Sequence, residues 1–263
     1  MADLAIALSI FSSDPVDADN QAQLVRALGV VADAADAATQ LAAARRALID
    51  HEQATAALWL IDAELAAVPT ADVGRQVALW LEKAAVLDEE MYDAENAKVA
   101  LRQALALRPN DTTAKEQLGE IDLAQANWQQ FATKFAQEAN GSTDRALATS
   151  LRLSAAAALL RFAPAAPEHG ATIESNLRAA LEVDPANSRA WIHLVRFLSK
   201  AQRWDDVAVA LQARAESITK RDDLAPVLVE LSVVQRDKLQ QVAAAASTVR
   251  RALTLAPSNR AAL

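Results

Sequence analysis

Ala104-Leu105-Ala106-Leu107-Arg108-Pro109-Asn110 returns as Ala180-Leu181-Glu182-Val183-Asp184-Pro185-Ala186-Asn187, and again as Ala252-Leu253-Thr254-Leu255-Ala256-Pro257-Ser258-Asn259. The prolines stand 185 − 109 = 76 and 257 − 185 = 72 residues apart. That is about twice the ~34-residue period of a helix-turn-helix repeat with a few residues inserted, so one diverged repeat lies between each pair of clear copies. The chain reads as a repeat array, and such arrays present an extended surface instead of enclosing one pocket.

Working outward from the phrase, the repeat after Pro109 begins near Thr112 and places apolar or small residues at Leu118, Gly119, Ala126, Trp128, Phe131 and Phe135. The same offsets from Pro185 give Trp191, Leu194, Val195, Leu198, Trp204, Val207 and Leu211. Spacings of three and four are the helical period, and the polar breaks at Ala126-Asn127 and Ala201-Gln202-Arg203 divide each stretch into two antiparallel helices. Backward from Pro109, residues 99–107 belong to a second helix and 71–89 to its first, joined around Glu90-Met91. Before Pro69 helices are expected at 2–11, 20–31, 36–50 and 52–68, with a turn at Asp14-Pro15. Ala44-Arg45-Arg46-Ala47-Leu48 looks like the end of a second helix, yet pairing counted backward makes it part of a first helix. The expectation is an all-α chain of about thirteen or fourteen helices with no sheet.

Composition agrees. The 263 residues are 52% hydrophobic with only 5 Gly and 8 Pro, and Ala, Leu, Glu, Gln and Arg are good helix formers. Every proline is expected at a helix boundary and none inside a helix. A formal charge of −8 argues against nucleic acid as a partner, which needs lysines and arginines gathered on one face. Lack of cysteine removes disulfides, thiol catalysis and thiolate metal sites. The start Met1-Ala2-Asp3-Leu4-Ala5-Ile6-Ala7-Leu8 carries an acid where a signal peptide needs bases. No stretch approaches the ~20 apolar residues of a membrane span, so a cytoplasmic protein is expected.

These features resemble the tetratricopeptide repeat (TPR) family. Its pattern is matched by Leu118-Gly119, by Trp191 and Leu194, by Trp128 and Trp204 as the aromatic opening a second helix, by Ala97 and Ala104, and by the closing Pro109, Pro185 and Pro257. Gln202 departs from it where a small residue is usual, Gly170 stands where an aromatic would be, and Ala163-Pro164-Ala165-Ala166-Pro167-Glu168-His169-Gly170 lengthens one turn into an expected exposed loop. The resemblance implies a TPR-like α-solenoid of antiparallel helical hairpins in a right-handed superhelix. Residues 1–69 would be diverged N-terminal repeats and 70–263 TPR-like repeats within one continuous solenoid.

Residues suited to catalysis are scattered. His51, His169 and His193 lie far apart without helical ligand spacing, so no metal site is expected. The five glycines are isolated, which rules out a Gly-rich phosphate loop, and no cofactor or catalytic residue is assigned. Glu89-Glu90 and Asp205-Asp206 are adjacent carboxylates that point apart on a helix, the latter suited to a helix N-terminus. Trp59, Trp80, Trp128, Trp191 and Trp204 are expected to pack in the core, and His193 to be partly exposed.

The resemblance also implies a concave face lined by first helices. The second, fifth, ninth and twelfth places of each repeat point into it: Thr113, Glu116, Glu120 and Leu123 in one repeat, Arg189, Ile192, Arg196 and Ser199 in another. The family's carboxylate clamp, with Lys and Asn at fixed groove places, is not matched, because Lys115 is out of phase. The expected function is a non-enzymatic scaffold for protein-protein interaction, holding a peptide or partner helix in that groove. Two alternatives are a docking segment of a larger protein that carries an enzyme elsewhere, and a structural subunit. The last phrase is followed only by Arg260-Ala261-Ala262-Leu263, so end-to-end self-association through an uncapped C-terminus is the expectation for the latter.

Overall fold

A computed structural model describes residues 2–31, 35–163 and 166–255. The described residues hold fourteen α-helices and no strand. They divide into two compact units, Met1–Ala126 and Asn127–Leu263. The first contains α1 (Ala2–Ser13), α2 (Ala18–Val31), α3 (Ala35–Asp50), α4 (Ala54–Ala67), α5 (Val73–Ala85), α6 (Ala94–Leu107) and α7 (Thr112–Ala126). The second contains α8 (Trp128–Gly141), α9 (Arg145–Phe162), α10 (Pro167–Val183), α11 (Ser188–Lys200), α12 (Trp204–Ser217), α13 (Arg221–Val233) and α14 (Val242–Leu255). The helices expected before Pro69 fall within a few residues of α1 to α4.

Pairing follows chain order. In the first unit α1 packs on α2, α3 on α4 and α5 on α6, α7 lies against α6, and α1 and α2 also meet α3 and α4. The segment Ala44–Leu48 therefore belongs to a first helix, as backward counting required. In the second unit α8 packs on α9, α9 on α10, α11 on α12 and α13 on α14, with α10 against α11 and α12 against α13. Leu4, Phe11, Leu24, Leu28, Leu41 and Leu60 form the core of the first hairpins, and Leu177, Leu194, Leu198, Leu211, Leu228 and Leu231 that of the second unit.

The recurring phrase has a physical meaning. Ala104, Ala180 and Ala252 are wholly buried, small enough to let a neighbouring helix approach closely. After each of the first two, the residue four further on donates its backbone N–H to the alanine carbonyl at 2.9 Å, closing the helix at Arg108 and Asp184. The proline stops continuation. Two residues beyond it, the Asp111 and Asn187 side chains each accept a backbone N–H at 3.0 Å, from Ala114 and Ala190, starting α7 and α11. The third copy's Pro257 and Asn259, and the C-terminal end assigned to self-association, lie outside the described residues. Asn187→Ala should destabilise the second unit by about 1 kcal/mol. Urea unfolding would check this, and Ser188→Ala, one residue inside the helix, should change stability by less than about 0.5 kcal/mol.

The turns inside the hairpins are alike too. Glu52, Gln202, Tyr92 and Gln240 all sit at positive φ, between 53° and 65°. At Glu52 and Gln202 this residue donates its N–H to a carbonyl three back, and the next residue donates to one five back, at 2.7–3.0 Å. That is the Schellman termination. Gln202 thus occupies a place that favours glycine, and the backbone geometry is kept despite the side chain.

Two first helices run on through a π-helical turn, Val86–Glu90 after α5 and Val234–Lys238 after α13. Val73 and Arg221, Val86 and Val234, Tyr92 and Gln240, and Ala94 and Val242 all stand 148 residues apart. The α5–α6 and α13–α14 hairpins therefore follow one plan, insertion included, and both end in the recurring phrase, at Ala104 to Leu107 and at Ala252 to Leu255.

Two expectations need correction. Pro226 lies inside α13. Its missing N–H costs one helical hydrogen bond, but Ala225, Val227, Leu228 and Leu231 around it are nearly fully buried, and that packing holds the helix together. The expected loop is shorter than supposed, because Pro167 opens α10 and Glu168 to Gly170 form its first turn; Pro164 and Ala165 lie outside the described residues. The tryptophans pack on the core as expected, Trp128, Trp191 and Trp204 in the second unit and Trp59 in the first, but all five are half-buried and none is fully enclosed. Trp59 stacks on the buried Phe11 at 4.9 Å, whereas Trp191 turns its indole N–H to the Pro185 carbonyl at 2.9 Å, as suits a ring with one polar edge.

An ion network links α3, α4 and α5. The Glu64 carboxylate, 2% exposed, accepts from Arg45 Nη1 and, at 2.9 and 2.8 Å, from Arg75 Nε and Nη2. Arg45 also donates to both oxygens of Glu82, at 2.7 and 2.8 Å.

Candidate functional site

Helix α7 begins because Asp111 caps it, and it buries only Ala114 and Ile121. Thr113, Glu116, Glu120 and Leu123 are all exposed. Steps of three, four and three residues set them along one helical face. Leu123 shows 62% of its surface, and the two glutamates stand four apart beside it. The face is thus acidic with an apolar end, on the last helix of the first unit.

Helix α11 is more strongly two-sided. Its capped start and the spacing of Ala190, His193, Leu194, Val195 and Leu198 drive one face into the core. The other face carries Arg189, Ile192, Arg196 and Ser199 in the same three-four-three spacing. Arg189 is exposed, while Ile192, Arg196 and Ser199 are half-buried. No acid occurs among the thirteen residues of α11, and Lys200 in its last turn adds to the positive charge.

Each unit thus brings together one set of four: the acidic set on α7 in the first, the basic set on α11 in the second. Arg189 and Arg196 also act on a third residue. His193 is 3% exposed, contrary to the expected partial exposure, because the turn of α11 points it toward the apolar side. Burial first, then the positive charges of Arg196 and Arg189, lower its pKa from 6.5 to about 3. The imidazole is neutral at physiological pH.

A second polar cluster joins α10 to α12. Glu174 accepts from Arg203 at 2.6 Å and from Arg178 at 2.8 Å, and Arg203 Nε reaches Asp206 at 2.6 Å. The hydrogen bond from Arg203, with a further one from Arg178, holds the Glu174 carboxyl below its usual range. Asp206 and Asp205 lie in the first turn of α12, as the sequence suggested. Glu89 and Glu90 are part of the first π-helical turn. His169, assigned to a loop, is helical and meets the Trp128 ring edge-on at 5.3 Å.

Among the described residues no group of three or more His, Asp or Glu is placed to hold a metal ion, and no helix is long and apolar enough to cross a membrane. The sites that sequence reasoning missed are the Arg45–Glu64–Arg75–Glu82 network and the buried His193. The signal for both was an ionisable residue on an apolar stripe: Leu41, Arg45 and Leu48 in α3, or Ala190, His193 and Leu194 in α11.

No family model matches the chain, and no curated protein does. Among solved structures, the chain is similar to YrrB, described as a TPR protein with an unusual peptide-binding site. The identity is 14%, covering 73% of this chain and 95% of that one, at a TM-score of 0.35. It is also similar to the C-terminal part of a TPR repeat-containing protein from Cytophaga hutchinsonii, at 10% identity over 98% of this chain and 97% of that one, with a TM-score of 0.29.

Proposed function

We propose that the protein is a non-enzymatic interaction scaffold that holds a peptide or partner helix of another protein along the outward faces of its first helices. The observation that carries this reading is the pair of charged faces: Thr113, Glu116, Glu120 and Leu123 on α7, and Arg189, Ile192, Arg196 and Ser199 on α11, each in one helical register and of opposite sign. A rigid helix offering a row of side chains at that spacing suits recognition of an extended segment or a second helix. The charge on each face would speed its encounter with a segment of the opposite sign more than it deepens the affinity.

The test is a panel of acidic, neutral and basic synthetic peptides, each presented to the wild-type chain and to the Arg189→Glu/Arg196→Glu variant. The wild type should select acidic peptides for the α11 face. The double variant should lower their association rate by roughly tenfold or more and flatten its dependence on salt. Equal rates for both proteins, with circular dichroism showing both folded, would leave these arginines as an ordinary solvated face and defeat the reading.

A further inference from the structure

The α1–α2 hairpin has two faces, and only one is accounted for. Leu4, Ala7, Leu8 and Phe11 of α1, with Leu24 and Leu28 of α2, are buried in the core shared with α3 and α4. Beside that core Asp3, Ile6, Gln23, Arg26, Ala27 and Val30, together with the buried Leu4 and Ala7, line an open pocket of about 320 Å³. Ile6 is 54% and Val30 84% exposed. Apart from Asp3 and its serines, α1 is built of Ala, Leu, Ile and Phe, and a helix apolar on both sides calls for cover on both.

We propose that a second copy of this chain covers that face, two α1–α2 hairpins meeting about a twofold axis. The patch is complementary to itself. It offers a protruding isoleucine and valine beside a pocket, so each copy supplies both knob and hole. It also carries one acid and one base, Asp3 and Arg26, both exposed and neither paired among the described residues. A twofold axis through the midpoint between them lays each copy's Asp3 on the other's Arg26. The apolar side chains close in the space between, where they exclude water from both ion pairs.

Sedimentation equilibrium of the full chain tests this. The wild type should dimerise at about 10–100 μM, and Ile6→Glu/Val30→Glu should be monomeric there. Arg26→Asp and Asp3→Arg should each weaken the dimer at least about tenfold by setting like charges together, and the variant carrying both should return to within about threefold of wild type. All four substitutions are at exposed positions, and circular dichroism would confirm that each variant folds. A monomeric wild type, a dimer indifferent to the single reversals, or a double reversal no better than either single would each overturn the proposal.

Discussion

Replacing Glu64 with alanine should cost the first unit about 3–5 kcal/mol, more than any surface substitution in the chain. Glu64 is the acceptor that two guanidinium groups share, and its side chain is 2% exposed against 5% for Arg45 and 14% for Arg75. Without it, Arg45 keeps only Glu82, and Arg75 loses the acceptor of both its hydrogen bonds to α4 while still largely out of water. A buried cation with too few acceptors is the costly state. Glu82→Ala should cost only about 1 kcal/mol, because that carboxylate is 34% exposed and water can replace it. Arg45→Met combined with Glu64→Met should be less destabilising than the sum of the two single changes, since neither charge is then left alone. Urea unfolding gives the totals, and hydrogen exchange in α3 to α5 would place the loss. A Glu64→Ala variant within about 1 kcal/mol of wild type would mean that the network is solvated and contributes little.

The hairpins were legible because the signals that make them are local. A buried alanine, a proline two residues before a cap and a helical stripe lie within a dozen residues, so Pro109-Asn110-Asp111 and Pro185-Ala186-Asn187 announce helix boundaries without knowledge of the rest. The Arg45 network was not legible for the opposite reason. Arg45 and Arg46 are neighbours of one chemical type, and only the placement of α4 and α5, distant in sequence, decides that Arg45 is buried while Arg46 is exposed. Pro226 misled because local propensity forbids what packing on both sides of it enforces. The candidate faces stand between these cases. Their register came from the repeat pattern, and the structure exposes all four places on α7. On α11 only Arg189 is fully exposed, because the same helix must bury His193 one step around.

His193 makes that helix sensitive to acid. Its folded pKa, about 3, lies below the 6.5 of an unperturbed imidazole, so between those values the unfolded chain binds a proton that the folded chain refuses. Stability therefore rises with pH through this window, is complete above about 6.5, and falls as pH drops toward 3. The shift corresponds to at most about 5 kcal/mol, and roughly 3 kcal/mol should already be lost at pH 4. Carboxylates titrate in the same range, so the contribution is isolated by comparing wild type with His193→Gln, in which every carboxylate remains. The variant will be less stable at pH 7 because its core is altered, but its loss between pH 7 and pH 4 should be smaller than that of wild type by roughly 3 kcal/mol. Burial is the leading cause and the two arginines the lesser ones, so Arg196→Gln should recover only part of the shift, and Arg189→Gln less. Parallel stability curves for wild type and His193→Gln, or an imidazole signal titrating near 6.5 in the folded protein, would show that His193 is reached by water and that the face bearing Arg189 and Arg196 is looser than described.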